Sequence, residues 1–322
     1  NRIINGAMTV DQRNAGASGT TSVYTVDRWV YAASQASKGT WQQNAGSVTP
    51  PVGFKNYLGF TSSSAYSVLV GDYFIFRQLI EGFNTADLGF GTANASTVTL
   101  SFWVRSSLTG TFGVVLSSGN ASRGYPATYT ISSANTWEYK AITIAGDTSG
   151  TWVGATNLIG MLVDFGLGVG TTYSATANTW GSGNIIGATG ATSVVGTSGA
   201  TFYITGVQLE AGSSGSSFAH EFVGDTLQKC QRYYQNVNMV GTQVGTTGGT
   251  VFATNINMRA TPTIANFTGL FGENTGQFGT FASVNSSYTT SNFARMQVSF
   301  SSGGAAGNSI FTNPAISLYA EL

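Results

Sequence analysis

The chain has 322 residues, of which only 8% are charged, where about a quarter would be usual in a globular protein. Its 13 basic and 13 acidic side chains cancel, so no basic surplus exists to neutralise a phosphate backbone or hold an anionic membrane, and neither nucleic acid nor a lipid surface is an expected partner. Hydrophobic residues at 42% and aromatics at 12% can still fill a core, leaving Gly, Ser, Thr and Asn to solvate the surface.

In chain order, period-two alternation predicts strands at residues 29–33, 66–70, 73–80, 97–105, 111–116, 127–131, 137–144, 158–165 and 201–209, separated by Gly, Ser and Asn. The clearest is 97–105, where Val98, Leu100, Phe102 and Val104 face one way and Thr99, Ser101, Trp103 and Arg105 the other. The apolar run that begins at Leu158 is stopped by Asp164, far short of the ~20 residues that cross a bilayer, so membrane insertion is not expected. The Gly-rich stretch 181–199 reads as a long loop. About nine short strands without helical spacers argue for an all-β, jelly-roll β-sandwich, because parallel units would need crossover helices.

The pattern changes once. Asp225 as N-cap, with Leu227, Cys230, Gln231 and Tyr234 at helical spacing, predicts a short helix. Beyond it, 251–258, 294–300 and 316–320 read as strands again. The expected organisation is a jelly-roll domain at 1–225, a helical junction at 226–236 and a second small C-terminal β domain at 237–322. The chain opens on Asn1 without a basic and apolar leader and is read as a fragment or a processed product. With 1 Cys and 1 His it cannot form an internal disulfide or a zinc site, so no metal and no cofactor is expected.

Four ordered blocks carry a resemblance. They are Asn1 to Gly6 with Asp11, Gln12, Arg13 and Tyr24 to Trp29; Leu100, Phe102, Trp103, Val104 and Ser107; Asn135 to Tyr139 with Gly146, Asp147, Thr148, Gly150, Thr151 and Trp152; and Gly206 to Gly212 with Phe218, Glu221, Leu227 and Cys230 to Tyr234. Over roughly residues 1–234 this series resembles the jelly-roll region of tailed-phage tail-fibre proteins. The resemblance implies a carbohydrate-binding-module-like domain in a virion tail fibre, a receptor-binding role in host attachment, a host cell-surface glycan and other virion tail proteins as partners, and a homotrimer made in the bacterial cytoplasm. Where related modules often carry an acidic residue after the opening Asn-Gly, this chain has Ala7 and Met8, a departure from any inherited structural calcium site. Residues after Tyr234 resemble nothing recognised and are the expected place for a variable tip.

A sugar site needs flat rings for the apolar face of a pyranose and groups that bond its hydroxyls. Strand parity nominates Trp103 and Arg105, joined by Tyr73, Arg77 and Glu81 on the preceding long strand, as the glycan-binding candidates. Trp137 and Tyr139 also share a face and are assigned to the core, since large aromatics are mostly buried. Glycosidase chemistry needs two carboxylates about 5 to 10 Å apart; Asp72 with Glu81, or Glu138 with Asp164, are the pairs that neighbouring strands could join. His220 beside Ser216 and Ser217 lacks a Gly-x-Ser-x-Gly elbow and is read as structural. The expected function is therefore attachment without catalysis, the alternatives being a polysaccharide depolymerase or a structural adaptor of the virion.

Overall fold

The alternation between Val98 and Val104 is realised as one strand of a two-sheet sandwich, with all four apolar side chains of that run fully buried. The computed structural model describes residues 1–244, 248–254, 258–265, 270–273, 280–302, 309–312 and 316–321. They divide into two compact units, Asn1–Thr226 and Leu227–Glu321.

The strands of the first unit are β1 (Val23–Tyr24), β2 (Trp29–Ala33), β3 (Gly39–Gln43), β4 (Leu58–Ser62), β5 (Tyr73–Glu81), β6 (Val98–Ser106), β7 (Gly110–Ser118), β8 (Arg123–Ile131), β9 (Glu138–Ile144), β10 (Ile159–Val169), β11 (Ser174–Ala175), β12 (Gly181–Ser182), β13 (Gly187–Ala188) and β14 (Thr201–Ala211). A seven-stranded sheet has the order β1-β2-β5-β10-β7-β8-β12, and a five-stranded sheet the order β3-β4-β14-β6-β9. All neighbours within these two sheets are antiparallel; β11 and β13 form a separate parallel pair. The chain changes sheet between β2 and β3, β4 and β5, β5 and β6, β6 and β7, β8 and β9, β9 and β10, and again on the way from β12 to β14, which makes the fold a jelly-roll sandwich.

The inner faces meet through aromatic rings. Phe102 of the five-stranded sheet lies 5.0 Å from Phe165 of the seven-stranded sheet, and Phe60 stands 6.3 Å from Phe76, both edge-on. Phe112 and Phe202 stack across the same interface at 6.0 Å. Each such fully buried side chain contributes about 1.5–3 kcal/mol of transfer free energy, so a chain with few charges and no disulfide holds its sandwich by ring packing.

Four local readings change. Residues 66–70 alternate but form no strand, because the Asp72 carboxylate accepts hydrogen bonds from the Tyr66 hydroxyl (2.6 Å) and the Leu69 amide (3.1 Å) and folds the segment into a turn. β3 and β4 were not predicted: Trp41 is the single large apolar side chain of β3, and Gly59 interrupts β4. The stretch 181–199 is irregular apart from β12 and β13. The helix, α1 (Val223–Gln231), begins before Asp225, which lies in its first turn where a carboxylate favours the helix dipole. It stops short of Tyr234, whose backbone instead pairs with Tyr319 in a strand.

The second unit is also β. Its described strands form a three-stranded sheet, Tyr234–Val237, Ile316–Tyr319 and Thr263–Ala265, and a six-stranded sheet that includes Gly248–Thr254 and Phe293–Ser302. The latter two coincide with the expected strands at 251–258 and 294–300, of which residues 255–257 lie outside the described residues. Val251, Ala253, Met258, Met296, Ile316 and Leu318 form the centre of its core.

Candidate functional site

The outer face of the five-stranded sheet carries the site. On β6 the residues that alternate with the core positions are Ser101, Trp103 and Arg105, and antiparallel register sets Tyr139 of β9 opposite Trp103. Their rings lie 5.6 Å apart at 57°. Trp103 is half-buried, while Tyr139 is 45% exposed. The core assignment of Tyr139 is therefore corrected. β9 is an edge strand, and the parity that sends Ile142 and Ile144 inward sends Tyr139 out. Trp137, the other aromatic of that run, is half-buried against Tyr57 and Tyr203 on the same outer face and donates its indole N–H to the Thr49 carbonyl.

Two loops wall this floor. One presents Val52 and Phe54. The other is the segment after β14, residues 212–220, which crosses back over the sheet and covers Thr99 and Ser101. Its anchors are polar: Thr99 Oγ1 donates to the Gly212 carbonyl (2.9 Å), and Thr143 Oγ1 donates to the Ser213 carbonyl (3.0 Å). Gln208 Nε2 bonds the Ser217 carbonyl (3.3 Å) while its Oε1 accepts the Ala219 amide (2.9 Å). Glu210 Oε1 accepts the Ser216 hydroxyl at 2.6 Å and Oε2 the Ser216 amide at 3.0 Å. Burial pushes the Glu210 carboxyl up, but these bonds from Ser216 and another from Gln208 outweigh it and hold the group below its ordinary range. The walls meet where Phe54 packs edge-on against Phe218 at 5.1 Å and against the His220 ring at 5.1 Å.

A bulge in β14 between Thr205 and Gln208 brings these parts together. Gly206 in that bulge has φ +60°, and a Cβ there would stand 2.6 Å from Phe54 Cζ and 3.2 Å from Trp103 Cδ1. Only glycine lets both rings approach. The result is an open cleft of about 550 Å3 with Trp103 and Tyr139 on its floor and Phe54, Phe218, His220, Ser216 and Ser217 on its walls.

The predicted site residues fall in two places. Trp103 lines the cleft; Arg105 shares its face but points away, donating Nε–H to the Asn135 carbonyl (2.9 Å) and lying over the Tyr203 ring. Tyr73, Arg77 and Glu81 lie on β5, in the other sheet. Parity correctly sends Tyr73 and Arg77 outward, but outward on opposed sheets means opposite sides of the sandwich, so they cannot join Trp103. There Arg77 makes a two-pronged ion pair with the buried Asp164 at 2.6 and 2.8 Å, Tyr73 packs on Tyr173, and Glu81 is 2% exposed. The considered carboxylate pairs also separate. Asp72 and Glu81 flank the whole of β5, about 30 Å apart at roughly 3.3 Å per residue. Glu138 on the five-stranded sheet is held by Lys140, whereas Asp164 on the seven-stranded sheet is held by Arg77. Ser216, Ser217 and His220 do line one cleft, but the Ser216 hydroxyl is committed to Glu210.

Sequence reasoning missed Phe54 and the cleft role of Phe218 and His220. Phe218 stood in the closing block of the resemblance, and the adjacent Gly206 was the available signal for a bulge. Among the described residues no three His, Cys, Asp or Glu side chains gather as a metal site.

No protein-family model matches the sequence, and no curated protein does. Solved structures show distant likeness. A protein from Bacteroides thetaiotaomicron described as sugar-binding aligns with 66% of this chain and 100% of its own at 12% identity and a TM-score of 0.38. A CBM4 structure aligns with 65% of this chain and 98% of its own at 14% identity and a TM-score of 0.32. A family 11 carbohydrate-binding module from Clostridium thermocellum, in complex with a mixed-linked tetrasaccharide, aligns with 64% of this chain and 100% of its own at 10% identity and a TM-score of 0.31. Scores this low decide nothing about the fold, which rests on the two sheets themselves.

Proposed function

We propose that the sandwich unit is a glycan-binding module whose ligand lies in the cleft over Trp103 and Tyr139. The observation that carries the reading is the pair of neighbouring, partly exposed rings on the floor of an open cleft with hydroxyl groups on its wall. The apolar face of a pyranose stacks on such rings, and Ser217 and the His220 ring on the wall supply polar groups for its hydroxyls. Among the described residues no carboxylate lines the cleft, which supports binding without hydrolysis. The resemblance of the four sequence blocks supports a place in a phage tail fibre, with a host cell-surface glycan as receptor and a homotrimeric assembly. In such a fibre several weak sites act together, because each bound site raises the effective concentration of the next.

The test is binding of the full chain to host cells and to a polysaccharide array. Tyr139→Ala and Trp103→Ala should each weaken binding about tenfold or more, a loss of about 1.4 kcal/mol. Tyr139→Ala removes a ring that is 45% exposed on an edge strand and should change the melting temperature little. Unaltered binding by both variants would move the receptor site elsewhere on the chain.

A further inference from the structure

We infer that the cleft selects uncharged over acidic glycans, because no Asp, Glu, Lys or Arg is found among its described lining residues and the Glu210 carboxylate stands just behind its wall, bonded to the lining residue Ser216. The inference rests on the glycan reading of the same cleft and names its ligand class.

Aspartate, glutamate, lysine and arginine are all absent from the described lining residues. Behind the wall, Glu210 has both oxygens engaged, Oε1 by the Ser216 hydroxyl and Oε2 by the Gln208 side-chain amide (2.8 Å) and the Ser216 backbone amide. That carboxylate is held below its ordinary range and so stays ionised, repelling an anion that enters the cleft. On the same face Arg105 is turned to the Asn135 carbonyl and the Tyr203 ring. The His220 ring is packed against Phe54 and Phe218.

A uronate, sialate or phosphate group entering between these rings would leave water without meeting a countercharge among the described lining residues. Desolvating an unpaired charge is far more costly than desolvating a hydroxyl that finds a hydrogen bond. A neutral hexose or N-acetylhexosamine meets what the cleft does offer: two aromatic faces, the Ser217 hydroxyl, and exposed backbone at Gly215. The Gly215 backbone lies close over the Tyr139 hydroxyl. Selectivity here is the absence of a partner for charge more than the presence of a reader for any one hydroxyl.

The experiment uses the full chain on an array of immobilised bacterial polysaccharides of neutral and acidic composition, with each uronate-containing polymer also present in its carboxyl-reduced, neutral form. Signal that disappears in both Trp103→Ala and Tyr139→Ala is taken as cleft binding. The expected result is that such signal comes from neutral polymers, and that carboxyl reduction strengthens binding of the acidic ones about tenfold or more. Cleft-dependent binding that is equal or stronger for the acidic polymers than for their carboxyl-reduced forms would overturn the inference while leaving the glycan reading standing. Absence of any cleft-dependent signal would overturn both.

Discussion

Tyr31 and Tyr57 are both buried, yet their hydroxyls meet different surroundings. The Tyr31 hydroxyl sits in the sandwich core beside Phe60 and Phe76 with no protein hydrogen-bond partner, and burial pushes its pKa well up. The Tyr57 hydroxyl donates to the Ala45 carbonyl at 2.6 Å and accepts the Val48 amide at 2.8 Å. Tyr31→Phe should therefore be neutral or stabilising, while Tyr57→Phe should cost about 1–3 kcal/mol by stranding two backbone groups. Urea unfolding of the two variants measures the contrast. Gly206→Ala should lower the melting temperature and weaken glycan binding together, since the residue needs φ +60° and its Cβ would displace Phe54. Retention of both properties would mean that the bulge does not shape the cleft.

Among the elements, the turn that replaces the expected strand at 66–70 depends on one carboxylate. Asp72 receives the Tyr66 hydroxyl, the Gln35 side-chain amide, the Leu69 amide and the Ser34 hydroxyl. Led by the Tyr66 bond, and against the effect of burial, these donors lower its pKa to about 2, against an ordinary value of about 3.9. The ionised form is thus bound more tightly in the fold than in the unfolded chain. Its contribution is fully present above about pH 4 and is lost as the pH falls towards about 2. Asp72→Asn should melt below the parent at neutral pH, and the gap should close across that window. A gap constant down to pH 2 would show that the carboxylate's charge is not what organises the turn. The segment 212–220 uses the same logic through Glu210 and Ser216, with polar side chains sewing an irregular segment onto a sheet face where apolar packing is thin.

For the whole molecule, the division at Thr226 and Leu227 separates two hydrophobic cores. The first is built from many large rings, and the described residues of the second are mainly methionine, alanine and aliphatic residues. Calorimetry should show two unfolding transitions, the smaller from the second unit, because a domain of roughly this size buries proportionately less surface. A single transition would mean that the units unfold as one. The proposed homotrimer is checked by mass photometry of the intact chain; a monomer at micromolar concentration would remove it.

The all-β class, the inward set of β6 and the change of character near residue 225 were legible in the sequence, because period-two alternation and helical spacing are local properties of a strand or helix. Trp103 was likewise identified as an outward ring from parity alone. Tertiary structure alone decided which outward residues share a side. β5 and β6 are consecutive long strands with matching parity, yet the chain changes sheet between them, so Arg77 and Trp103 end on opposite faces of the sandwich. The cleft itself joins Phe54, Trp103, Tyr139 and Phe218 from four separated stretches of sequence. Its shape comes from a glycine bulge and from polar anchors such as Gln208 to Ala219, whose side-chain-to-backbone pairing has no periodic signature and exists only once the sheet has formed.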